Sequence, residues 1–161
     1  MFAALGLSAV AACSKPADQN PAVEQAGEKA ALNWQLDYAK VMEQAKAQKK
    51  LALVYFTGSD WCPYCIYLDR DVMSRPEYVK YANENLVMML CDFPRKNPPP
   101  EARLKANMAL GEKFGIQGYP TVVLVNPENG QTAKLGWSSG ITPEKFIAEI
   151  EKFKSDSGGL K

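Results

Sequence analysis

The stretch SDWCPYCIYL (residues 59–68) sets two cysteines, Cys62 and Cys65, two residues apart where an apolar run gives way to a helical segment. Such spacing serves three chemistries: a redox pair, half of a metal site, or a structural staple. Just before it lies LALVYF (51–56), a continuous apolar run of strand length. A strand that is apolar on both faces belongs in the middle of a sheet covered by helices on both sides. TGSD (57–60) turns the chain, and a helix is predicted from Cys62 to about Met73.

The same alternation extends outward. LNWQL (32–36) reads as a short edge strand. DYAKVMEQAKAQKK (37–50) carries apolar residues at Tyr38, Val41, Met42 and Ala45, a helical pattern, with Asp37 as its N-cap. Ser74 is the predicted cap of the next helix, with Pro76 and Glu77 in its first turn. LVMMLCDF (86–93) is a second buried strand, and the proline-rich 94–102 interrupts regular structure. A helix over 103–114 ends at Gly115. TVVLVN (121–126) and TAKLGW (132–137) form a hairpin around Asn129-Gly130. Thr142 and Pro143 start a C-terminal helix running to Lys154. Strand–helix–strand–helix followed by a hairpin and a helix implies an α/β domain with parallel and antiparallel strands in one sheet.

The chain of 161 residues has room for one ordinary domain, and 47% hydrophobic with 23% charged residues is a globular composition. A net charge of +1 without a dense basic block gives no reason to expect nucleic acid. Histidine is absent, which removes Ser-His and Cys-His catalysis and histidine-containing metal sites.

The first residues differ in kind. MFAALGLSAVAAC (1–13) is apolar and small, and too short to span a bilayer, which takes about 20 residues. Its end, VAAC (10–13), resembles the bacterial lipoprotein box, although no basic residue precedes it. The reading is a lipoprotein-type signal peptide at 1–12, lipidation at Cys13, and a flexible polar tether at 13–29, since that segment buries too little apolar surface to offset its ordering. The domain is expected at 30–154 and a disordered tail at 155–161. This implies a bacterial periplasmic location with a membrane anchor through Cys13.

Four cysteines then sort themselves. Cys13 is the lipid site, Cys62 and Cys65 are the pair, and Cys91 sits in a predicted buried strand as a small hydrophobe or a third thiol. Structural zinc takes four ligands, and there is neither a second pair nor a histidine, so no metal is expected. A staple closing so short a loop constrains the unfolded chain little. Redox chemistry remains. Lowering a thiol pKa from about 8.5 to about 7 takes roughly 2 kcal/mol, and a helix N-terminus supplies up to about 2 kcal/mol. Cys62 is therefore the expected nucleophile, and Cys65 the thiol that resolves the mixed disulfide. Asp60 opposes the thiolate unless its side chain points away.

Here the chain resembles the thioredoxin superfamily, on LALVYFTGSDWCPYC, MMLCDF and KFGIQGYPTVVLVNPENGQTAKLGW in that order. The resemblance implies a thioredoxin-like fold, a central mixed sheet with helices on both faces. It implies that Pro120 is cis and packs on the disulfide, and that Tyr119 exposes backbone to an extended substrate. Trp61 is expected to cover the disulfide or simply to pack in the core, with Pro63 and Tyr64 shaping the contact surface. The family's buried strand acid aligns with Tyr55, leaving open how Cys65 loses its proton. Residues 94–100 are an insertion that could shape partner choice. The implied activity is extracytoplasmic thiol–disulfide exchange on protein cysteines, tilted towards reduction, by a monomer with a redox partner protein and no cofactor. Superfamily potentials spread over about 150 mV, so direction does not follow from fold. Two alternatives are a peptide-binding, chaperone-like lipoprotein without turnover and a dedicated reductase for one maturation partner.

Overall fold

The computed structural model describes residues 31–160. The expected signal peptide, Cys13 and the tether lie outside the described residues.

The strand β1 (Trp34–Gln35) precedes α1 (Tyr38–Gln48), whose N-cap Asp37 accepts the backbone N–H groups of Ala39 and Lys40. Then come β2 (Leu51–Thr57), α2 (Pro63–Leu68), a π-helical turn (Asp69–Met73), α3 (Pro76–Asn85) and β3 (Leu86–Asp92). The chain closes with α4 (Glu101–Lys113), β4 (Thr121–Val125), β5 (Thr132–Leu135) and α5 (Pro143–Asp156). The sheet order is β1-β3-β2-β4-β5, with β1, β3 and β2 parallel and β4 and β5 antiparallel to their neighbours.

Every residue of β2 is buried, as its unbroken apolar run requires. Alternate side chains divide the core in two. Leu51, Leu53 and Tyr55 face α2, α3 and α5, among Leu68, Tyr78 and Phe146. Ala52, Val54 and Phe56 face α1 and α4, among Val41, Ala45 and Leu110. Each large aliphatic or aromatic residue so buried stabilises by about 1.5–3 kcal/mol. The two-faced core makes β2 the rigid base from which the Cys62 turn projects.

Two local expectations are corrected. Ser74 does not cap α3; it is the C-cap of the preceding π turn, and Arg75 is the N-cap without a side-chain bond. The reason is Pro76, whose ring forces the residue before it into extended backbone. Residues 155–160 are not a free tail. The helix α5 continues to Asp156, and buried Ser157 accepts at its carbonyl from the Nδ2 groups of Asn126 at 3.0 Å and Asn129 at 2.9 Å. Asn129 therefore serves both the hairpin turn, where Gly130 adopts φ 73°, and the C-terminal anchor.

Candidate active site

The turn between β2 and α2 closes on one glycine. A Cβ at Gly58 would fall inside the Trp61 indole, and the Gly58 carbonyl accepts from Trp61 N at 3.2 Å and Cys62 N at 2.9 Å. The turn delivers Cys62 as N-cap of α2, with Pro63 in the first helical turn, where its missing N–H costs nothing. Cys62 and Cys65 are joined as a disulfide. The Cys65 backbone N–H donates to Cys62 Sγ at 3.2 Å. Cys62 keeps 4% of its surface exposed and Cys65 none, so Cys62 is the more accessible sulfur.

Trp61 is fixed from several sides. Its Nε1 donates to the Phe93 carbonyl at 2.8 Å, its ring meets Tyr119 edge-on at 5.9 Å, and the Arg95 guanidinium lies over it at 4.2 Å. Tyr119 also stacks on Phe93 at 5.3 Å. These contacts bring together the Cys-x-x-C turn, the β3 exit and the 118–121 segment, which are distant in sequence. The Tyr119–Pro120 peptide bond is cis. Thr121 Oγ1 donates to the Gly118 carbonyl at 2.8 Å, tightening the segment.

Asp60 is accounted for. Its carboxylate accepts the backbone N–H groups of Arg95, at 2.9 Å, and Lys96, at 2.7 Å. These bonds hold its carboxyl below the usual carboxylate range. Asp60 is thereby turned to the proline-rich segment and anchors its start beside the redox turn.

On the other flank, Tyr64 is 53% exposed and stacks on Trp137 at 4.9 Å, while Tyr67 lies against the same indole at 5.9 Å. Trp137, just after β5, carries no motif, and only its spacing from the hairpin hints at its place. Cys91 is buried on the α1/α4 side, where desolvation pushes its thiol up to about 12.

Beside Tyr55 lies a cavity of about 480 Å³ whose lining also includes Thr57, Ser59, Asp69 and Asp92. Tyr55 donates to the Cys65 carbonyl at 3.5 Å and packs its ring against Trp34 at 5.9 Å. Its hydroxyl faces the Asp69 carboxylate, and burial holds it well above the usual phenol range. Burial, helped by nearby Asp92, raises Asp69 to about 6, partly offset by Tyr55. Ser59 donates to Asp92 through its N–H at 3.0 Å and its hydroxyl at 2.6 Å. Asp69 and Asp92 escaped the sequence reading. Asp69 lies four residues after Cys65, one helical turn away on the same face, and that spacing was the available signal. Among the described residues no three histidine, cysteine or acidic side chains group as metal ligands.

The chemistry available is reversible sulfur exchange at an outward cysteine, backed by a buried partner. Comparisons with known proteins agree with this geometry. Residues 38–154 match the thioredoxin-like domain. The chain is 34% identical over 109 residues to the disulfide bond reductase DsbH of Chlamydia pneumoniae, covering 68% of this chain and 65% of that protein. It is 29% identical over 103 residues to the thioredoxin-related protein DsbJ of the same organism, covering 64% of this chain but 30% of DsbJ. It thus spans about two thirds of one relative and under a third of the other. A solved structure titled DsbH oxidoreductase superposes with a TM-score of 0.65 at 32% identity, over 84% of this chain and 92% of that one. With the family match spanning most of the chain and the same sheet holding a Cys-x-x-C turn against a cis-proline segment, this protein belongs to the thioredoxin-like family.

Proposed function

We propose that this protein is a thiol–disulfide reductase for protein cysteines, with Cys62 attacking and Cys65 resolving. The observation that carries the reading is the position of Cys62 Sγ at the N-cap, accepting the Cys65 N–H at 3.2 Å. That donor and the helix end stabilise a thiolate there. The thiolate of the reduced chain attacks a substrate disulfide, and one substrate sulfur leaves as thiolate. Cys65 then attacks Cys62 Sγ, the second substrate sulfur leaves, and the disulfide seen in the structure forms. Two electrons have passed to the substrate, and a redox partner protein must return them.

The reducing direction is supported by the similarity to a protein named as a disulfide bond reductase, DsbH. Trp61, Tyr64 and the Tyr119–Pro120 segment form the surface on which an extended substrate would lie. Pro63 fixes the first turn between the cysteines. The lipid anchor at Cys13 rests on the sequence alone, and the periplasmic location on the sequence together with the Dsb names of the relatives. Among the described residues no helix is long and apolar enough to cross a membrane.

Insulin reduction by the full chain tests the reading. Wild type should precipitate the insulin B chain, C62S should not, and C65S should accumulate covalent partners. A C62S chain as active as wild type would overturn it.

A further inference from the structure

The start of the proline-rich segment is stapled to the redox turn. Phe93 N donates to the Thr57 carbonyl at 2.9 Å, and the Phe93 carbonyl accepts from Trp61 Nε1 at 2.8 Å. Asp60 takes the next two backbone donors, Arg95 N at 2.9 Å and Lys96 N at 2.7 Å. These bonds fix residues 93–96 against 57–61, and the exposed Arg95 side chain is laid over the Trp61 ring, 4.2 Å from its centroid. Trp61 immediately precedes Cys62, so the guanidinium covers the neighbour of the more accessible sulfur. A second arginine sits on the other flank. Arg70 lies over Tyr67 at 5.1 Å, and Tyr67 packs on Trp137 beside Tyr64. Its fork is filled, because its Nε and an Nη group donate to the two Asp71 oxygens at 2.6 and 2.8 Å. The fork of Arg95 is open: among the described residues its guanidinium makes no hydrogen bond and no ion pair. Asp60, although next to Trp61, spends its oxygens on the backbone of residues 95 and 96.

We propose that Arg95 is a specificity-determining residue that binds the carboxylate of an Asp or Glu side chain flanking the reactive cysteine of a protein substrate. The inference rests on the reductase reading and names its substrate class, disulfides set in acidic segments. Charge complementarity selects this occupant. A guanidinium presents its N–H donors in a planar fork that matches a carboxylate, and Arg70 shows such a fork, on a ring of the same site, filled by one. Seated on Trp61 by a pinned backbone, Arg95 has less freedom to lose on pairing than a loose surface arginine. Lys96 places a second positive charge beside it in the chain. The exchange itself is unaltered: Cys62 Sγ bonds to one substrate sulfur, and the other leaves with the electron pair. Arg95 holds the acidic segment while that happens and disfavours a basic one.

Single-turnover reduction of matched peptide disulfides by the pre-reduced full chain tests this. The peptides are homodimers of one short sequence whose single cysteine is flanked on both sides by Glu, by Gln or by Lys, and released thiol is followed by rapid quench. Each rate is divided by that of dithiothreitol on the same peptide, which removes the effect of the flanking charge on the disulfide itself. At low salt wild type should reduce the Glu peptide about two- to fivefold faster than the Gln peptide, the range of an exposed ion pair, and the Lys peptide more slowly than either. At about 1 M salt, where the screening length is about 3 Å, the preference should vanish. R95A should level the Glu and Gln rates, R95E should favour the Lys peptide, and R95K and K96A should each still favour the Glu peptide. Equal normalised rates for the three peptides in wild type would overturn the proposal and leave the reductase reading standing. An R95E chain that still prefers the Glu peptide would overturn it too, and if R95E does not fold, an R95A chain with undiminished preference would do the same. Failure of wild type to reduce any of the peptides would overturn the reductase reading and this proposal with it.

Discussion

The two sides of the Cys62–Cys65 disulfide are built by opposite means. Outside, Cys62 is framed by rings: Trp61 against Tyr119 and Arg95, and Tyr64 against Trp137, half exposed and held by contacts between loops. Inside, Cys65 is fully buried, and the Tyr55 ring whose hydroxyl donates to its carbonyl borders a cavity walled by β1, β2, β3 and the π turn. The outer side spends apolar surface on solvent, which suits a surface that other chains must cover. The inner side holds a buried phenol, Tyr55, beside two half-buried carboxylates, Asp69 and Asp92, a polar grouping whose desolvation costs stability.

Each side can be broken separately. The largest effect is expected on the outer side, where C62S should abolish insulin reduction while leaving the fold intact by circular dichroism. Next, W61A removes the hydrogen bond to the Phe93 carbonyl, the ring contact with Tyr119 and the seat of Arg95. It should cost about 2–3 kcal/mol in chemical denaturation, below the range for a fully buried tryptophan, and raise KM more than it lowers kcat.

On the inner side, D69N should stabilise the protein at neutral pH. A folded-state value near 6, above the unfolded one, means that the native state binds the proton more tightly. That stabilisation is complete below the unfolded value and is lost as pH rises through about 6. Wild type should therefore melt below D69N at neutral pH and together with it at strongly acidic pH, by differential scanning calorimetry. A melting-temperature difference independent of pH would remove Asp69 from the cavity's proton balance. The smallest effect is R95A, which loses an exposed cation–π contact worth about 0.5–1 kcal/mol and should shift stability by no more than that.

The outer side was largely legible in the sequence and the inner side was not. Local signals were strong where one residue decides one bond: Asp37 and Thr142 at helix N-caps, Pro76 and Pro143 in first turns, Gly130 in the hairpin. The burial of β2 followed from its apolar run, and the two distant motifs carried the fold together. The cavity escaped because its members come from β2, the π turn and β3, and only the packed sheet brings Tyr55, Asp69 and Asp92 together. Periodicity gave no sign of the π turn, since Asp69 to Met73 reads as ordinary helix. Ser74 was misplaced because the constraint of Pro76 on Arg75 outweighs cap preference. The end of the chain was misread because Ser157 is bound by two asparagines of the hairpin, a contact with no local signature.

The asymmetry of the two sulfurs is the central claim, and thiol titration tests it most directly. In the fully reduced chain, alkylation at each cysteine is followed by mass spectrometry across pH. Cys62 should react first, with an apparent pKa moved from about 8.5 towards about 7, and Cys65 should lag at every pH. Alkylation of Cys65 ahead of Cys62, or an unshifted Cys62, would contradict the account.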